Sequence, residues 1–169
     1  MYELKTLSKA SIPAALQKAE RYRLLNEPDQ AASICLDILR VDSENQEALI
    51  MLLLANTDKF KTALYPAFDR AMEILSRLSS KHCKLYYRGI INERRARAHL
   101  EGGVPGSSEL AYDWYIKAMT DYEQALGNCS PGNEDAALRW NTCARVLNEN
   151  PHLKSTDERQ EVQVTDGYE

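Results

Sequence analysis

The sequence predicts an all-α fold of about seven helices, built from stacked helical hairpins and closed at the C-terminal end by a single capping helix. Three observations carry this. Ala, Leu, Glu, Arg and Lys dominate, Val is scarce, and Gly (7) and Pro (6) are few, a balance that favours helix over strand. Apolar residues recur at helical spacing through most of the chain. A pattern of small and apolar positions in the first helix pair also returns in the second and third. One hairpin cannot bury such stripes alone, so each needs the next.

The elements follow in order. Residues 1–10 are a polar lead-in. The first helix is expected to start at Ser11, a good N-cap, with Pro13 in the first turn, where a missing N–H costs nothing. Its apolar face carries Ala15, Leu16, Ala19, Tyr22 and Leu25. Asn26-Glu27-Pro28 breaks it, because the residue before a proline avoids the helical region. The second helix covers 28–41, with Ala31, Ile34, Cys35, Ile38 and Leu39 on one stripe. Ser43-x-x-Gln46 resembles a capping box for the third helix. That helix, around 48–55, is apolar on every side and must be covered on several.

Residues 56–64 read as a linker, and the fourth helix as 66–78, with Phe68, Ala71, Leu75 and Leu78 facing one way. The fifth helix is expected over 81–100, with Leu85, Gly89 and Ala96 aligned. Gly89 inside a helix costs about 1 kcal/mol relative to Ala. Close approach of a neighbouring helix would offset that. Gly102, Gly103 and Gly106 stop the helix. The sixth helix starts at a Ser107 or Ser108 cap and reaches Leu126, with Leu110, Trp114, Ala118, Tyr122 and Ala125 as its stripe. This third hairpin is longer than the first by about two turns per helix. A turn over 127–133 leads to the seventh helix, over 134–148, with Ala136, Ala137, Trp140, Ala144 and Leu147 inward and Pro151 as its stop. Residues 11–150 make one repeat domain. The polar stretch 151–169 is expected to be disordered.

The first two helices carry a family resemblance. Ile12 to Asn45 is 34 residues, and Ala19, Tyr22, Ala31, Cys35 and Ile38 fall at positions 8, 11, 20, 24 and 27 of it. This resembles a tetratricopeptide repeat, with its W-x2-L-G-x2-Y, A-x3-F and Pro pattern. Ala15 stands in place of the Trp, Cys35 of the Phe and Ser43 of the Pro. The spacing recurs as Ala71, Leu75 and Leu78, and again as Ala118, Tyr122 and Ala125. The resemblance implies a right-handed solenoid whose first, third and fifth helices line a concave groove for a peptide or helix. It also implies groove positions: Pro13, Leu16, Glu20, Arg23 and Leu24, then Glu47, Ile50, Leu54, Thr57 and Asp58, then Cys83, Tyr86, Ile90, Glu93 and Arg94. The family's carboxylate clamp is absent, since Leu16, Glu20 and Met51 occupy its positions.

The fifth helix is the most informative polar element. Arg88, Asn92, Arg95 and His99 share one face, and all can donate hydrogen bonds. Two readings stand for it. It is either a seat for an acidic peptide or a face whose arginines pair with Glu73, Glu109 or Glu123. Among the aromatics, Trp114, Tyr122 and Trp140 fall on core stripes, whereas Tyr86, Tyr87, Tyr112 and Tyr115 are interface candidates.

Other classes find little support. A net charge of −4 supplies no field for a nucleic-acid backbone. No apolar run approaches the ~20 residues of a membrane span. Cys35, Cys83, Cys129 and Cys143 are scattered, with no zinc spacing and no orienting partner for a thiol nucleophile. Residues 102–106 lack the phosphate-loop pattern, so neither cofactor nor metal is expected. With no secretory h-region and reduced thiols, the expected compartment is the cytoplasm. The expectation is a non-catalytic adaptor that binds another protein or peptide, with acidic ligands favoured. Its binding residues would be Leu16, Glu20, Arg23, Ile50, Leu54, Tyr86, Arg88, Ile90, Asn92, Arg95 and His99. A homodimeric scaffold is the alternative.

Overall fold

The computed structural model describes residues 2–103 and 105–153. Among them the fold is all-helical: a 3-10 turn, Lys9–Ser11, and then α1 (Ile12–Leu24), α2 (Pro28–Val41), α3 (Gln46–Thr57), α4 (Phe60–Ser76), α5 (Lys81–Gly102), α6 (Ser107–Leu126) and α7 (Asp135–Glu149). The chain divides into two compact units, Met1–Tyr87 and Arg88–Glu169, so the boundary falls inside α5.

In the first unit α1 packs on α2, α2 on α3 and α3 on α4, and α1 also reaches α3. The small residues let the helices come close: Ala19, Ala31, Cys35 and Ile38 are all fully buried. Ala71, Leu75 and Leu78 are buried in turn. The α1–α2 turn is tighter than a simple proline break. Asn26 takes the left-handed conformation (φ 60), which Asn tolerates better than most side chains. Its N–H bonds to the carbonyl of Arg23 and that of Glu27 to Tyr22, the pair of bonds that makes a Schellman cap.

Two boundaries differ from expectation. Ser43 does not cap α3. Asn45, the residue directly before the helix, does, and its Oδ1 accepts from the Ala48 amide at 3.0 Å. Gln46 is thereby released from a capping box; its Oε1 accepts from the Ser79 amide at 2.8 Å. The linker is also shorter. α3 runs on to Thr57, where Asn56 and Thr57 are buried by returning hydrogen bonds to Leu52 and Leu54. Buried Phe60 opens α4, and a non-helical Ala63 (φ −147, ψ 53) kinks it. Pro66 follows within one turn of the kink, where its absent N–H breaks little.

In the second unit α6 packs on α7, and side-chain hydrogen bonds join α5 to α6. Both long helices are present, 22 residues in α5 and 20 in α6 against 13 in α1 and 14 in α2. Gly89 is buried, and a Cβ there would lie 2.4 Å from the Tyr122 ring, which is the close approach its placement suggested. The α6 stripe is shifted by one residue at its start. Ala111, Tyr115, Ala118, Tyr122 and Ala125 are buried, while Leu110 is 47% exposed. The expected stripe followed the most apolar residues; the real one follows small residues seven apart, which leave room for the two tyrosines between them. Tyr115, an interface candidate, is thus core. Trp114 and Trp140 are only half-buried, and α7 presents Ala136 and Cys143 to the interior instead. Of the expected disordered tail, Leu153 is buried and residues 154–169 lie outside the described residues.

Candidate functional site

α3 is the starting point, because its sequence is apolar around the whole helix but its burial is not. Ala48, Leu49, Leu52, Leu53 and Ala55 are buried, whereas Ile50, Met51 and Leu54 stay half-buried. These three recur at helical spacing, so they form one uncovered apolar strip. Against it α1 sets Ile12, Pro13, Leu16, Gln17 and Glu20. Together with Ile50, Met51, the Asn45-Gln46-Glu47 end of α3 and Tyr87, they line a cleft of about 820 Å³ within the first unit.

The structure brings some of the expected residues together and not others. Leu16, Glu20 and Ile50 all line the cleft. Leu54 continues the same strip beyond the lining. Arg23 is engaged elsewhere: its guanidinium forks onto Asp58, with Nε to Oδ2 at 2.7 Å and Nη2 to Oδ1 at 3.2 Å, and Nη1 reaches the Met51 sulfur at 3.9 Å. Arg23 and Asp58 were both expected groove positions, and they satisfy each other instead. Their ion pair ties α1 to α3 and fixes the cleft walls. Tyr86 does not line the cleft; it stacks with His82 at 6.1 Å and meets Tyr87 edge-on at 5.1 Å. Tyr87 is the aromatic that reaches the site. Sequence reasoning missed Ile12 and Met51 as lining residues, although Met51 adjoins Ile50 on an all-apolar helix.

The polar stripe of α5 lies in the second unit from Arg88 onward and is held mostly from within. Arg88 donates to Asp121 Oδ1 through Nε (2.8 Å) and Nη2 (2.5 Å), and Asn92 donates to Oδ2 at 2.8 Å. Asp121 is only 5% exposed, and its hydrogen bonds raise the Arg88 pKa further above its ordinary value. For Arg88 the partner is thus Asp121; Glu123 accepts from the Trp140 indole at 3.1 Å. The Arg95 guanidinium lies 4.0 Å from the Trp114 ring centre, with Lys117 at 4.2 Å from the same ring. His99 has its pKa lowered by burial and then by the charge of Arg95.

Ile90 and Asn92 are corrections of a different kind. Residues 89 to 93 are consecutively buried, so this stretch of α5 has no open face for a ligand. At its end Glu93, 1% exposed, accepts from the Tyr122 hydroxyl at 2.7 Å. Arg139 Nε stands 3.2 Å from the same carboxylate, close as a charge though not aligned as a hydrogen bond. This buried network joins α5, α6 and α7, and nothing in the spacing of the sequence announced it.

Burial pushes the Cys35 and Cys143 thiols up to about 12, the opposite of what a thiol nucleophile needs. Among the described residues no group of three His, Cys, Asp or Glu side chains could hold a metal ion. No described helix is long and apolar enough to cross a membrane. No protein-family model matches the sequence, and neither a curated protein nor a solved structure matches the chain.

Proposed function

We propose that the chain is a non-catalytic protein–protein interaction module that holds a peptide or short helix in the α1–α3 cleft. The observation that carries the reading is the uncovered apolar strip of Ile50 and Met51 facing Leu16 across an open cleft. An amphipathic segment laid there would bury those side chains and remove them from water, the usual source of affinity for a helix or strand in a groove. The wider architecture in this reading is a right-handed tetratricopeptide-like solenoid. The order of packing among α1 to α4 and the burial of the same small-residue positions in three hairpins support it. Four unpaired cysteines suit a cytoplasmic setting.

The expected taste for acidic ligands on α5 has less support, because Asp121 already supplies the carboxylate for Arg88 and Asn92. The test is affinity capture from source lysate with the wild-type chain and with Leu16→Asp plus Ile50→Asp. Helical circular dichroism and the melting temperature serve as checks on folding. Partners that the folded double variant no longer retains are ligands of the cleft. Retention of every partner by the double variant would refute the proposal.

A further inference from the structure

Two ion pairs in the first unit match opposite charges across helices, Arg23 with Asp58 and Lys59 with Asp29. The α1–α3 cleft is lined by charges of one sign. Glu20 on α1 and Glu47 on α3 both line it, both are exposed, and neither meets an ion-pair or hydrogen-bond partner among the described residues. Among the described residues no Lys, Arg or His side chain lines the cleft, so its wall carries two uncompensated negative charges around an apolar floor. Tyr87 adds an aromatic ring, whose face attracts cations rather than anions.

From this we infer that the cleft selects a basic segment, one that seats an apolar side chain between Leu16 and Ile50 and sets a flanking Lys or Arg against Glu20 or Glu47. The inference rests on the interaction-module reading and adds the chemistry of the partner to it. An acidic segment would bring like charge to both walls and would be turned away. The preference is electrostatic, so it is strongest at low salt and fades as ions screen the exposed carboxylates.

The test is selection of a random-peptide phage library on the full chain, followed by titration of the enriched peptides as synthetic probes. The expected winners carry Leu, Ile, Met or Phe next to Lys or Arg. They bind Glu20→Gln plus Glu47→Gln roughly three- to tenfold more weakly than wild type at low salt, and the gap closes at high salt. Asp69→Asn plus Glu73→Gln on α4 is the control for a merely acidic surface and leaves binding unchanged. Neutral or acidic winners that still lose affinity on Leu16→Ala plus Ile50→Ala would overturn the basic preference and keep the cleft. Basic winners that respond to both charge variants alike would do the same. Winners indifferent to Leu16→Ala plus Ile50→Ala, or no winners at all, would overturn both.

Discussion

At Gly89 the gain of a better helix former is set against the space taken by a neighbour. A methyl there would stand 2.4, 2.7 and 2.9 Å from three carbons of the Tyr122 ring. The ring cannot swing aside freely, since it is fully buried and its hydroxyl is held by Glu93. Gly89→Ala would gain about 1 kcal/mol of helix propensity and meet an overpacking penalty of roughly 1–3 kcal/mol or more. The expected result is a net loss, read as a lower urea midpoint at unchanged slope. The thiols make a second case at this scale. Cys83 and Cys129 are partly exposed, while Cys35 and Cys143 are buried. A thiol reagent should therefore modify two cysteines quickly and two only as the fold opens. The buried pair also sets a pH dependence. Their folded pKa of about 12 lies above the ordinary value of 9.0, so the neutral thiol is favoured by folding. That contribution is whole below pH 9 and is lost as pH climbs toward 12. Melting temperature should fall over that alkaline interval, and less steeply in a Cys35→Ala plus Cys143→Ala variant relative to its own neutral value.

At the scale of the element, local rules wrote the helices and tertiary packing chose their faces. The α2 bounds were legible because Pro28 and Asp42 bracket an unbroken stripe. The α3 start was misread because two capping signals overlap within residues 43–46, and the nearer one, Asn45, wins. Asn45→Ala should cost about 1 kcal/mol and Ser43→Ala close to nothing, a contrast that chemical denaturation of the two variants measures directly. The α6 face was misread because hydrophobicity points at Leu110 and Trp114 while close packing wants small residues. A stripe of alanines at positions 111, 118 and 125 was visible in the sequence, but its importance depends on what packs against it. The α4 kink at Ala63 had only Pro66 as a clue, and proline near a helix start is too common to fix a bend.

At the scale of the molecule, the helical period made the all-α class readable, and the site was readable in part. Leu16, Glu20 and Ile50 line the cleft, and they are positions that the tetratricopeptide resemblance names for a groove. Arg23, Arg88 and Asn92 were read as ligand-facing because a sequence shows a donor without its acceptor. Asp58 and Asp121 supply those acceptors from helices that are distant in sequence. Glu93, which the resemblance implies as a groove position, is buried instead, and only the fold reveals the Tyr122 hydroxyl that donates to it. The proposed function stands on the half-buried apolar strip of α3 that lines the cleft. The most direct measurement places a photo-crosslinking side chain at position 50, in the cleft, and in a second variant at position 65, where Tyr65 is 65% exposed on α4 and outside the cleft lining. Irradiation in source lysate should yield a discrete adduct from position 50 and none from position 65. Equal labelling from both positions, or labelling from position 65 alone, would contradict a ligand seated between α1 and α3.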